Sequence, residues 1–164
     1  MKKIILTMLL IAAHGLFAGC ATYISPENSS TQITFELSEG AESNGNQFYS
    51  IYPVSECSEK EGYGMAANMM KLWGMGGSDT TVSVLSGEEI YILAEVKKHT
   101  GGSTVYTRSC RNFISFTPLE GQHYVVRQKD RCRGVSIKDK ATNQPVDVQN
   151  IKLPYSCSFK AKKN

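Results

Sequence analysis

Five cysteines, three histidines, six methionines and a run of alternating cations are the residues of this 164-residue chain that have chemistry to offer. Cys57, Cys110, Cys132 and Cys157 are spread singly, without the paired spacing of a zinc site. Met65, Met69, Met70 and Met75 carry soft thioethers that suit Cu(I), but the spacing of Met65 and Met69 is explained equally well by packing. Gly62-Tyr63-Gly64-Met65-Ala66-Ala67 matches a dinucleotide-binding turn by letters alone. That turn needs a buried strand before it, and here the polar run Ser55 to Glu61 precedes it. His99 and His123 fall in turn sequences, and no nucleophile elbow or Ser–His set accompanies them. Glu56, Glu59, Glu61, Glu88 and Glu89 read as solvated side chains rather than a carboxylate pair set in a cleft. The expectation is a non-enzymatic chain with no cofactor and no metal.

The cations are more pointed. Arg127, Lys129, Arg131 and Arg133 occupy every second position, so an extended strand presents all four on one face. Such a face either protects an edge from wrong pairing by like charge or binds something acidic: lipid phosphates, lipopolysaccharide or an envelope protein. The charge is unevenly spread along the chain. From Cys20 to Val96 there are eleven acidic and two basic residues, and from Lys97 to Asn164 fourteen basic and four acidic. A sheet protein brings such halves together, so neighbouring strands are expected to neutralise one another. The formal charge is +3, and Lys2 and Lys3 supply two of those units. That balance gives no reason to expect nucleic-acid binding.

Cys20 stands apart from the other four cysteines. Lys2 and Lys3 are followed by 15 almost unbroken apolar residues, Ile4 to Ala18, with His14 and Gly15 as soft interruptions. A bilayer-spanning helix needs roughly 20 residues, whereas a basic head, a short apolar middle and a small-residue end make a secretory signal. Phe17-Ala18-Gly19-Cys20 resembles the lipobox of bacterial lipoproteins. The resemblance implies that the Cys20 sulfur carries diacylglycerol, that the chain is cut before it and that the new amine is acylated. Phe17 stands where that family favours leucine. Ala21 in place of aspartate implies sorting to the outer membrane, with the domain facing the periplasm. Two acyl chains hold where one binds only reversibly.

Removing residues 1–19 from the 164 leaves 145, enough for one domain. The expected division is a signal over 1–19, a lipidated tether over 20–32 and one body over 33–160. With Cys20 acylated, the other four thiols form an even set, and an oxidising periplasm turns them into two disulfides. Sequence alone permits three pairings.

The elements that must position these residues read as strands. Ile33, Phe35 and Leu37 alternate with polar neighbours. Phe48–Val54, Thr80–Leu85, Ile90–Val96, Ser103–Thr107 and Val146–Leu153 have the same character, as do Tyr155, Cys157 and Phe159 near the end of the chain. Asn112–Phe116 and Tyr124–Gln128 read as a hairpin about Gly121, a register that sets Cys110 opposite Cys132 and Arg111 opposite Arg131. That spacing favours Cys110–Cys132 and leaves Cys57–Cys157. Val135 and Ile137 change parity after Gly134, which suggests a bulge there. Met65, Met69, Leu72 and Trp73 fall at helical spacing between glycines, so one short inserted helix is expected, with a partner-contact face. The sum is an all-β antiparallel sandwich, or a barrel-like relative, with one helix and two disulfides. The run Cys110…Phe116-Thr-Pro…Gly121…Tyr124…Cys132 is similar to runs in small periplasmic lipoproteins, a resemblance that implies no activity. The expected role is an accessory subunit holding an envelope protein partner. The alternative is a binding module for envelope glycolipid or polysaccharide.

Overall fold

A computed structural model describes residues 22–37, 45–55, 57, 64–70, 79–100, 106–129 and 133–154. Among the described residues nine strands make two sheets: β1 (Gln32–Glu36), β2 (Gly45–Tyr52), β3 (Gly64–Met70), β4 (Thr80–Ser83), β5 (Ile90–Thr100), β6 (Tyr106–Phe116), β7 (His123–Gln128), β8 (Val135–Asp139) and β9 (Gln149–Asn150). One sheet has the order β4-β1-β7-β8 and the other β3-β2-β5-β6-β9. Every pairing between these strands is antiparallel except β1 with β7, which is parallel. Among the described residues there is no helix and no closed barrel.

Alternation decides which side of each strand is buried. Ile33 and Phe35 on β1, Tyr124 and Val126 on β7 and Val135 and Ile137 on β8 meet Tyr49 and Ile51 on β2, Ile92 and Ala94 on β5 and Ile114 and Phe116 on β6 in one core. Phe35 stacks on Tyr49 with centroids 4.7 Å apart, and Phe116 meets Tyr124 edge-on at 5.2 Å. Both contacts join the two sheets, and offset or edge-on rings add about 1 kcal/mol beyond the area they bury. A smaller cluster covers the outer side of the β5–β6 pair. There Leu93 and Phe113 are packed by Tyr52, Cys57, Tyr91, Ile151 and Leu153.

Several expectations need correction. The expected inserted helix is absent from its described part: Met65 and Met69 lie on strand β3, opposite Ser50 and Gln47 of β2, with a register shift at Tyr49/Ser50. Cross-strand hydrogen bonds won over a helical spacing of four that, being even, is equally compatible with an extended strand. Leu72 and Trp73 lie outside the described residues. The hairpin about Gly121 is not formed either, because β6 and β7 belong to different sheets. Both edges of β6 are occupied, by β5 and β9, and both edges of β7, by β1 and β8. The chain crosses between layers at residues 117–122, so the two strands stack face to face. Arg111 therefore pairs across its ladder with Glu95, not with a β7–β8 residue.

Tyr106 and Thr107, expected at the end of a separate Ser103–Thr107 segment, and Asn112–Phe116 lie on one strand, β6, which pairs with β5 along eleven positions, while residues 103–105 lie outside the described residues. No bulge is required at Gly134: in the β7–β8 hairpin Val126 faces Ile137 and Gln128 faces Val135, and the change of parity is what antiparallel pairing produces. Of the long strand expected at Val146–Leu153, only Gln149–Asn150 is paired. The strand signal around Tyr155, Cys157 and Phe159 lies outside the described residues.

Candidate functional site

Strand direction gives the body two ends. β2 finishes, β3 begins, β5 begins and β6 finishes at one of them, in the register Ile51↔Gly64, Tyr52↔Tyr91 and Ile90↔Phe116. In the other sheet β4 finishes while β1 and β7 begin there, since Gln32 pairs with both Ser83 and His123. The hydrogen bonds of the N-terminal segment also converge on this end. Thr22 bridges Met65 in parallel, and the Tyr23 amide donates to the Met65 carbonyl at 2.9 Å. The Tyr23 hydroxyl donates to the Ser83 carbonyl at 2.8 Å, and the Ser83 amide donates to Ser25 Oγ at 3.2 Å. Ser29 Oγ donates to the Val84 carbonyl. Thr31 Oγ1 donates to the Leu119 carbonyl at 3.1 Å and accepts from the Gly121 amide at 3.0 Å. Gly121 holds φ at 71°, a left-handed conformation that costs a side-chain-bearing residue strain. Residues 22–31, expected as part of a loose tether, are thus bound along β3 and β4, the edge strands on the same side of the two sheets. Paired edges are protected from other chains.

The opposite end is held by polar groups inside the core. Tyr49 Oη accepts from Gln47 Nε2 at 2.6 Å and from the Gln128 amide at 3.0 Å, and donates to the Glu36 carbonyl at 3.0 Å. Burial pushes the Tyr49 phenol far above its ordinary range, so it stays neutral and keeps its donor. Gln47 is fully buried and Gln128 is 2% exposed. Gln128 Nε2 donates to Cys110 Sγ at 3.0 Å, and its Oε1 has no hydrogen-bond partner among the described residues. Cys57 and Cys110 are both disulfide-bonded, whereas Cys20, Cys132 and Cys157 lie outside the described residues.

The expected basic face is divided. Arg127 Nε donates to Glu36 Oε2 at 3.0 Å across the β1–β7 ladder. Arg111 Nε donates to Glu95 Oε1 at 2.8 Å across β5–β6, and Lys97 Nζ approaches the same carboxylate at 3.5 Å. Lys97 also sits 5.2 Å from the Phe48 ring centre. Each acid comes from the acidic half of the sequence and each base from the basic half, the neutralisation that sheet pairing was expected to give. Lys129 and Arg133 are exposed where β7 turns into β8, with the Lys129 amide donating to the Gly134 carbonyl at 2.8 Å. Arg131 lies outside the described residues.

One arrangement was missed in the sequence. On the outer side of β4-β1-β7, Thr34 Oγ1 lies 2.7 Å from His123 Nε2 and 2.8 Å from Thr81 Oγ1. Desolvation lowers the His123 pKa below its usual range, Lys140 lowers it further, and Asp139 opposes both. Thr34 is 5% exposed, so the contact stitches three strands rather than presenting a nucleophile. The parity of Thr34 and Thr81 places both on the outer side of their strands, but no local pattern links either to His123. No three metal-ligating side chains cluster among the described residues. A protein with two mainly antiparallel sheets is the class these features define. No family model, no curated protein and no solved structure matches the chain.

Proposed function

We propose that the protein is a lipid-anchored component of the bacterial envelope, carried on Cys20 in the outer membrane and facing the periplasm. Its role is to hold an envelope protein partner rather than to catalyse a reaction. The observation that supports this reading best is the binding of the N-terminal segment to the body. Thr22, two residues after Cys20, is already bridged to β3. A chain cut before Cys20 and acylated there would therefore be gripped by its own anchor with little slack.

The basic residues suit a partner contact. Lys129 and Arg133 are exposed at the end away from the bound segment, and Arg127 is beside them. An acidic protein surface is the matching chemistry.

A β-sandwich closed by Cys110–Cys132 and Cys57–Cys157 belongs to the same proposal. Cys110 Sγ contacts Gln128, four residues before Cys132, and Cys57 packs in a cluster with Leu153, four residues before Cys157. Loop-closure entropy would give roughly 3 kcal/mol for the short link and nearer 5 for the long one.

The test is metabolic labelling of cells with an alkyne fatty acid, comparing wild type with Cys20→Ser. Label on the first and none on the second supports the proposal, and an unlabelled wild-type chain refutes it. Charge reversal at Arg127, Lys129 and Arg133 then tests the partner: the same co-purified proteins after reversal would refute that contact.

A further inference from the structure

We infer that the end of the body where the N-terminal segment is bound is a seat on the phospholipid bilayer, pressed into the interface by four apolar side chains. This rests on the reading of Cys20 as the lipid anchor. Among the described residues the exposed large apolar side chains are Ile24 at 65%, Val54 at 38%, Leu85 at 46% and Leu119 at 63%. All four belong to the same end. Ile24 lies between Tyr23, which bonds Met65, and Ser25, which bonds Ser83. Val54 follows the close of β2 at Tyr52. Leu85 follows the close of β4, in the loop that leads to β5. Leu119 sits in the loop from β6 to β7, which is tied to the Leu85 loop by the Gly87 amide donating to the Pro118 carbonyl at 2.8 Å.

Single exposed apolar residues are ordinary on a protein surface. Their concentration at one end, with the other end carrying exposed Lys129 and Arg133, is not. The position of the chain names the occupant. Two residues reach at most about 7 Å, so an acyl group on Cys20 leaves the body within that distance of Thr22. The Thr22–Met65 bridge lies one residue from the start of β3 at Gly64, which pairs with Ile51, three residues before Val54. The side chains at that level would then meet the interface, adding contact area to the acyl chains.

Charge narrows the lipid. Glu27, Glu88, Glu89 and Glu120 are exposed around this end, with Lys140 as the neighbouring cation. A zwitterionic surface accepts such a rim, whereas an anionic one repels it.

The experiment uses full-length protein extracted from labelled cells and returned to vesicles of brominated phosphatidylcholine, with tryptophan placed by Leu119→Trp or by Arg133→Trp. Trp73 is common to both proteins and sets the background. The inference expects bromolipid to quench the added emission of Leu119→Trp and to leave that of Arg133→Trp unchanged. It also expects Leu85→Ser with Leu119→Ser to lower vesicle binding of the Cys20→Ser chain by about tenfold, or ~1.4 kcal/mol, with an unchanged circular dichroism spectrum.

If fatty-acid label is present but Leu119→Trp is not quenched, the seat is wrong and the anchor stands. Concentration-dependent self-association in place of quenching assigns the apolar end to a second copy and overturns the seat. If label is absent, the anchor reading falls, and vesicle binding of the unlabelled chain decides the seat: quenching of Leu119→Trp upholds it and no quenching ends it.

Discussion

The two ends of this molecule are held together by different means. At one, the closing bonds come from outside the sheets: Tyr23, Ser25, Ser29 and Thr31 tie a strandless segment to β3, β4 and two loops. At the other, they come from within: Gln47, Tyr49 and Gln128 are buried there, and on the outer side of β5–β6 Glu95 is buried beside Arg111. Polar groups near water lose little when a bond breaks, because solvent replaces the partner. Enclosed ones lose the full cost of desolvation. The inner end should therefore be sensitive to single atoms, and the outer end to loss of the segment as a whole.

The largest effect is expected at Arg111. Glu95 is 3% exposed, so Arg111→Ala takes the 2.8 Å partner from a buried carboxylate that keeps Lys97 at 3.5 Å, and should cost about 3 kcal/mol in urea unfolding. Arg127→Ala is the control. Its ion pair with Glu36 is a third to a quarter exposed, so a loss of under about 1 kcal/mol is expected. Equal losses at the two sites would break the distinction between enclosed and wetted pairs.

Tyr49→Phe comes next. It removes a hydroxyl with three partners, two of them main-chain groups, at about 2 kcal/mol. Tyr23→Phe removes one bond at the segment, and about 1 kcal/mol is expected. Its clearer signature is faster hydrogen exchange at the Tyr23 amide, with the core amides of β5 unchanged. Slowed or unaltered exchange at Tyr23 would mean the segment is held by something other than these bonds.

The smallest effect is a pH dependence from His123. Its folded pKa lies below the ordinary 6.5, so the unfolded chain binds the proton more readily. Stability is then present above that value and declines as pH falls through 6.5 toward the folded pKa. His123→Asn should flatten this part of the curve in thermal melts between pH 7 and pH 5. An unchanged slope would show that desolvation at His123 is negligible.

How much of this was legible depended on whether the determining contact was local. Ile33/Phe35, Tyr124/Val126 and Val135/Ile137 announced their strands and their buried side by alternation, because side-chain direction is a local property of an extended chain. The two-sheet core followed from that. What alternation cannot carry is which strand lies beside which. Asn112–Phe116 and Tyr124–Gln128 flank a turn and read as hairpin partners, yet the strands lie in different sheets and Phe116 meets Tyr124 edge-on between layers.

Met65 and Met69 show the second limit. A spacing of four fits one face of a helix, and being even it also fits one face of a regular strand, so spacing alone could not choose between them; β3 pairs with β2 with a register shift at Tyr49/Ser50. The bound segment was hidden for a third reason: Ser25, Ser29 and Thr31 look like any polar tether until groups more than fifty residues away supply their donor or acceptor partners. Gln47 and Gln128 left a trace, each standing in the inward parity of a strand whose neighbours are apolar. The charge halves were legible as a sum, and their pairing as Glu36–Arg127 and Glu95–Arg111 needed the ladder.

The most direct test of the account is intact mass measurement, with N-terminal peptide sequencing, on protein extracted from envelopes. The expected result is a chain that starts at Cys20 and carries the mass of an attached diacylglyceryl group and an acyl amide. A chain retaining residues 1–19, or one with an unmodified Cys20 thiol, would contradict it.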